Sequence, residues 1–421
     1  MMARALYTLL VWALLPLIPL RLAWRARRQP EYLEHIGERF GRYRIEARRP
    51  VIWLHAVSVG ETRAAQPLVQ RLLARHPDHD LLLTHMTPTG RQTGADLFGE
   101  RVLRAYLPYD DPFAVGRFLR HFRPRAGVIL ETELWPNLAA GCRERGVPLV
   151  LVNARMSERS ARGYARVAAL TRPLLRGLAA IAAQTEADAR RLRDLGAPEV
   201  AVLGNLKFDL LPPPAQVEAG AALRRLFGAR PVLLCASTRE GEEALILDAL
   251  ADAPAGDALV VLVPRHPQRF DEVARLIAAK GLRMQRRSTG EAVAAGTQIL
   301  LGDSMGELFA YYAACDVAFV GGSLLPLGGQ NLIEACAVGA PVLIGPHTFN
   351  FAEAADQAVA CGAALRTADA QAMVAQALAL LADAPARARM SEAGRAFAAA
   401  HRGAADRTVE LIEAILGSRV E

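Results

Sequence analysis

The segment 55–61, HAVSVGE, ends in a carboxylate that follows a short apolar, β-branched run and a small-residue turn at Ser58 and Gly60. A carboxylate at that place opens a helix. It is either a cap favoured by the helix dipole or a general base at the mouth of a site. The helix terminus lowers the pKa of Glu61 and burial raises it, and the sequence does not decide between them. The segment 131–138, ETELWPNL, sets Glu131 and Glu133 two positions apart, ahead of a Trp and of Pro136 at a helix start. The same two readings apply, helix cap or working carboxylate. In GNLKFD, 204–209, Lys207 stands at another strand end. The chain has 48 Arg and only two Lys, Lys207 and Lys280, so a lysine here suggests a compact point charge rather than a planar fork.

The second half carries a different vocabulary. STREGEE at 237–243 passes from a strand into a helix, where Ser237, Thr238 and backbone amides suit a phosphate. VPRHPQRF at 263–270 puts Arg265 and His266 at a strand end stiffened by prolines. GDSMGEL at 302–308 is a third such junction. The segment 319–335 holds two Gly-Gly pairs around a loop, then Gln330 and Asn331 entering a helix with Glu334. Glycines admit close backbone approach to a ligand, and an acidic residue one turn into a helix can hold ribose hydroxyls. GPHTFNF at 345–351 closes the set. Walker A and HExxH patterns are absent, and His266 and His347 lack partners at metal-ligand spacing.

These residues need elements to carry them. Strand-length apolar runs recur at 51–57, 81–84, 102–107, 126–130, 149–153, 179–183 and 200–203, most of them separated by helix-length stretches. After Pro212, Pro213 and Pro214 the alternation restarts at 231–236, 258–263, 298–301, 317–320 and 341–344. This is the pattern of βαβ units on parallel sheets. It predicts two doubly wound α/β domains, 29–211 and 216–421, with an Ala-rich helical tail from about 369 whose last helices can pack back on the first domain. Open parallel sheets bind ligands beyond the carboxyl ends of their strands, which is where the motifs fall. The size of the chain, 421 residues, also calls for two cores.

Composition narrows the function. Residues 1–50 hold ten Arg and four Glu, while the remaining 371 hold 40 basic and 39 acidic groups. A neutral body with a basic front end argues against a general nucleic-acid binder. Five cysteines without paired spacing argue against a disulfide scaffold or a structural zinc site. Residues 5–20 are uncharged. A helix of that length covers about 24 Å against about 30 Å of hydrocarbon. Its heavy charge comes after the apolar run and no A-x-A site follows, unlike a cleaved signal peptide. Residues 1–28 are therefore expected to be a membrane anchor segment, either a signal anchor with the body in the cytoplasm or a helix lying in the interface, aided by Pro16 and Pro19.

Together these motifs (WLHAVSVGE, THMTPTG, ETELWPN, NARMSERS, GNLKFD, STREGEE, VPRHPQRF, GDSMGEL, FVGGSL, GGQN and GPHTFNF) resemble those of the 3-deoxy-D-manno-octulosonic acid (Kdo) transferases, in order and from about Arg4 to Phe351. The resemblance implies a GT-B glycosyltransferase, two Rossmann-like domains facing across a cleft. The N-terminal domain would take the acceptor and the C-terminal domain the CMP-sugar. It implies transfer of Kdo from CMP-Kdo to a lipid A precursor, lipid IVA, with inversion at the anomeric carbon. It implies no cofactor, no tightly bound metal and no nucleic-acid partner, and places the enzyme on the cytoplasmic side of the inner membrane in lipopolysaccharide synthesis. Carried over by motif, Glu61 is the base, and Glu131 and Lys207 stabilise the transition state. The CMP contacts fall on Pro264 and Arg265, on Met305, Gly306 and Glu307, and on Asn331, Leu332, Ile333 and Glu334. One departure is Gln330, where many relatives carry His; Gln hydrogen-bonds but carries no charge.

Overall fold

In the structure, a computed structural model, residues 2–253 and 255–417 are described. They form two units. The first runs to Leu210 and takes in the chain again from Arg402; the second is Leu211–His401.

The first unit is built on seven strands: β1 (Val51–His55), β2 (Asp80–His85), β3 (Leu103–Tyr106), β4 (Ala126–Leu130), β5 (Leu149–Ala154), β6 (Ala180–Ala183) and β7 (Ala201–Val202). Their order is β3-β2-β1-β4-β5-β6-β7 and every pair is parallel. Helices cover both faces, so alternate residues of one strand feed two cores. Val51 and Trp53 join Leu82, Phe118, Ile129 and Leu151 on one side. Ile52 and Leu54 join Leu68, Leu83, Val128 and Val152 on the other. That double burial is why the strands read as continuous apolar runs.

Trp53 lies opposite Gly127 in the ladder. A Cβ on Gly127 would come within 2.6 Å of the indole and 2.8 Å of Leu149. The glycine is what lets the largest fully buried side chain cross β4. The second face is completed by the last helix, Ala404–Gly417, through Val409 and Ile412. Its start is fixed by buried Asp209, which accepts from the amides of Gly403 at 2.6 Å and Ala405 at 2.7 Å.

The second unit repeats the plan with β8 (Val232–Thr238), β9 (Leu259–Pro264), β10 (Met284–Arg286), β11 (Ile299–Leu301), β12 (Val317–Val320), β13 (Val342–Ile344) and β14 (Ala364–Arg366). The order is β10-β11-β9-β8-β12-β13-β14, again parallel throughout. The two strands that the sequence pattern does not announce, β10 and β14, are the edges. Each has three residues and an exposed or half-buried polar side chain, so neither shows an apolar run. Short, charged edges also discourage pairing with other chains.

At the front, helices Met2–Leu14 and Leu17–Ala26 are bent by 53° at their junction, where Pro16 caps the second. The apolar run over 5–20 is thus in two helical pieces, as the prolines at 16 and 19 favour, because proline cannot continue the hydrogen-bond ladder of a helix interior. No single helix among the described residues is long and apolar enough to cross a membrane.

Candidate active site

In the first sheet, β1 and β4 are the central neighbours at which strand order reverses, the place where doubly wound sheets open a crevice. Glu61 follows β1 and Glu131 follows β4 directly. The helix Val59–Ala64 begins at Ser58, which caps it. Glu61 reaches back over this cap: its Oε1 accepts from the Ser58 hydroxyl at 2.9 Å and its Oε2 from the Val57 amide at 2.8 Å. The cap is thus seen directly, and the same carboxylate sits at the switch point and is only 9 % exposed. The loop that bears it is held by the neighbouring loop after β2. There the Met86 amide and the Thr87 hydroxyl donate to the Val57 carbonyl, and His85 Nδ1 lies 2.9 Å from the Ala56 carbonyl.

Glu131 adopts the left-handed conformation, φ 57°. For a non-glycine residue this is strained backbone of a kind that gathers at functional sites. Lys207 Nζ stands 3.8 Å from Glu131 Oε1. The lysine is carried on a turn, Leu206–Asp209, that is anchored at both ends. Asn153, itself at φ 51°, accepts from the Leu206 amide at 3.0 Å, and Asp209 binds the last helix as described. Glu131, Lys207 and Glu61 are thus gathered from three separate loops.

Their charges act on one another. Burial, then the charge of Glu131, pushes the Glu61 pKa up to about 8, against the hydrogen bonds from Val57 and Ser58; Glu133 adds to the rise. Burial lifts Glu133 to about 6, opposed by the neighbouring Trp135 indole, and Glu131 adds a smaller rise. Of the two opposed effects on Glu61, burial wins. Three carboxylates beside one lysine cannot all ionise cheaply, and the most buried one keeps its proton near neutrality. A carboxylate with a pKa near 8 is a far stronger base than an ordinary glutamate and suits removal of a proton from an alcohol. The sequence leaves Glu133, like Glu131, between helix cap and working carboxylate; its part in setting this balance is not legible there. The histidines behind the loop are structural. Burial lowers His55 to about 3 and His85 to about 4, so both are neutral.

In the second unit the expected donor residues lie beyond the carboxyl ends of β9, β11 and β12. Pro264 ends β9, and the Arg265 amide donates to Thr238 at 2.9 Å. Met305 is exposed, Gly306 has φ 81°, and Glu307 accepts from Arg287 at 3.0 Å and from Ser304 at 2.5 Å. Asn331 Nδ2 donates to Glu334 at 3.0 Å, and its Oδ1 accepts from the Ile333 amide at 3.1 Å. Leu332 and Ile333 are each 1 % exposed, so only their backbone is available to a ligand.

The STREGEE segment behaves differently from expectation. Thr238 does not offer its hydroxyl to a phosphate but donates it to buried Glu243 at 2.8 Å. Glu242, fully buried, accepts from the amides of Gly322 at 2.6 Å, Ser323 at 2.9 Å and Leu324 at 2.9 Å. The chain's own carboxylate fills the amide cradle of the Gly-Gly loop and fixes its shape. The adjacent carboxylates Glu242 and Glu243 at the head of a helix were in the sequence, but their burial was not.

Two doubly wound parallel units, with carboxylates and a lysine after the strands of one and polar, Gly-marked loops after the strands of the other, have the architecture of the GT-B class. The crystal structure of a glycosyltransferase from Rickettsia africae ESF-5 has this fold, at a TM-score of 0.61 and 14% identity over 88% of this chain and 99% of that one. Residues 34–210 match the family described as 3-Deoxy-D-manno-octulosonic-acid transferase (kdotransferase), and residues 276–397 match glycosyl transferases group 1. The 3-deoxy-D-manno-octulosonic acid transferase of Bordetella pertussis is 49% identical over 99% of this chain and 100% of that protein. The enzyme of the same name from Haemophilus influenzae is 38% identical over 100% of both. The chain belongs to the Kdo transferase family.

Proposed function

We propose that this enzyme transfers Kdo from CMP-Kdo to lipid IVA, the lipid A precursor of lipopolysaccharide, with inversion, on the cytoplasmic face of the inner membrane. The observation that carries the reading is the cluster of Glu61, Glu131, Glu133 and Lys207 at the switch point of the first sheet. In this reading Glu61 takes the proton of the acceptor hydroxyl as that oxygen attacks the anomeric carbon from the face opposite the CMP. The CMP phosphate leaves with the bonding electrons. Lys207, oriented by Glu131, supplies positive charge to the anionic transition state, and Arg265 with the loops 305–307 and 331–334 holds the nucleotide. The acceptor-binding role of the first unit and the donor-binding role of the second belong to the same proposal.

Association with a membrane surface is supported by the front end. One side of the helix Met2–Leu14 is pinned to the first unit. There Arg4 pairs with Glu144 at 3.0 Å, the Thr8 hydroxyl meets Asn137 at 3.0 Å and the Trp12 indole donates to Asp111 at 2.8 Å. Leu6, Leu9, Leu10, Leu17, Leu20 and Trp24 stay exposed. A bent, apolar, outward face followed by four arginines suits an interfacial helix on anionic lipid.

The test is incubation of the purified enzyme with a CMP-Kdo-generating system and lipid IVA, with products read by mass. Addition of one or more Kdo masses to the lipid is the expected result. No product with CMP-Kdo, or product from a different nucleotide sugar, overturns the assignment.

A further inference from the structure

We propose that the first unit carries a site for one divalent cation of the Zn²⁺ type, formed by His76, Asp78 and His79 and closed by Glu413 of the last helix. The site lies apart from the candidate active site. The loop His76-Pro77-Asp78-His79 joins the helix Gln66–Arg75 to β2. One ligand atom from each of His76, Asp78 and His79 lies within 4.8 Å of the other two. His76 Nε2 is 3.1 Å from Glu413 Oε1, and His79 Nδ1 is 2.9 Å from Asp78 Oδ1. Ligand atoms on a tetrahedral zinc with bonds near 2.0–2.1 Å stand about 3.3 Å apart, so both pairs are close to the spacing an ion imposes, and side-chain rotation closes the rest.

Two further observations favour an ion over a plain ion pair. The buried His76 Nε2 has no aligned hydrogen-bond partner among the described residues, although the Glu413 carboxylate is near. A nitrogen left so is a ligand position waiting for a cation rather than a donor in use. In addition, Arg75 Nη2 holds Glu413 Oε2 at 2.6 Å and leaves Oε1 turned toward His76. The two imidazoles are mostly covered, at 17 % and 18 % side-chain exposure, while Asp78 at 75 % opens to solvent and gives the ion a way in. Two imidazole nitrogens with two carboxylate oxygens are the donor set of a borderline-soft metal. The nearby Arg75 charge keeps the affinity modest.

The earlier expectation that no structural zinc site exists rested on Cys and His spacing. The fourth ligand comes from the far end of the chain and leaves no such spacing to read. The consequence of occupancy is mechanical: the ion ties the loop before β2 to the helix that completes the second core of the unit.

The experiment uses untagged full-length protein, stripped with chelator and titrated with Zn²⁺ against a chromophoric competitor. One equivalent is expected to bind. H76Q, H79A and E413Q are each expected to weaken it by roughly tenfold or more. Thermal unfolding followed by circular dichroism is the second readout. Saturating Zn²⁺ should raise the wild-type midpoint by roughly 5 °C or more and leave the H76Q/H79A double variant unmoved, with its fold checked by its spectrum. Absence of saturable binding, or equal binding by the wild type and the double variant, overturns the site. Should E413Q bind as the wild type does, the tie to the last helix is overturned.

Discussion

Under the proposed mechanism Glu61 has two jobs, cap and base, that a single substitution can separate. A glutamine side chain can still accept from the Val57 amide and hydrogen-bond the Ser58 hydroxyl, so E61Q keeps the local fold and loses the base. Transfer should fall by roughly 10²–10⁴ while the unfolding midpoint stays put. Full activity in E61Q would leave the residue with the cap alone. Its titration gives a sharper test. Glu61 must be ionised to accept a proton, so kcat/KM should climb with pH and level off above about 8. Removing the Glu131 charge takes away one cause of that high value. In E131Q the rising limb should move to lower pH even as kcat falls; a limb that does not move assigns the titration to another group. The positions of Glu61, Glu131 and Lys207 were legible from residue type and strand-end placement. The raised basicity was not, because it depends on burial and on carboxylates about seventy residues apart in the chain.

At the level of elements, all twelve expected runs match a strand of the structure to within two residues at each end, because buried parallel strands are apolar throughout and advertise themselves. β10 and β14 did not, since edge strands bury little. Nor did the sequence show why Gly127 sits in β4, a choice that becomes sensible only opposite Trp53 in the ladder. G127A should overpack that crossing and cost about 1–3 kcal/mol, measured as a lowered denaturation midpoint; an unchanged midpoint would mean that the indole moves freely. The buried carboxylate of Glu242 was equally hidden, because its partners are amides about eighty residues later. E242A leaves three loop amides without acceptors. It should destabilise the second unit by about 3 kcal/mol or more and loosen nucleotide binding, read by thermal unfolding and by CMP titration.

For the whole molecule, the front end and the back end both serve the first unit. Deleting residues 1–28 should move the protein from the membrane pellet to the supernatant; retention in the pellet would assign the attachment to another surface. The bend at Pro16 was within reach of the sequence, and the polar pins to Asp111, Asn137 and Glu144 were not, since they pair residues roughly a hundred or more positions apart. The return of Ala404–Gly417 to the first sheet has a consequence in time. As a nascent chain leaves the ribosome, the first unit lacks the helix that seals its lower face until some two hundred later residues have been made. The second unit lies wholly within that interval and can finish first. The half of the enzyme translated earliest is therefore the half that matures last, and a ribosome stalled before codon 402 releases a chain with a folded second unit and an unsealed first one.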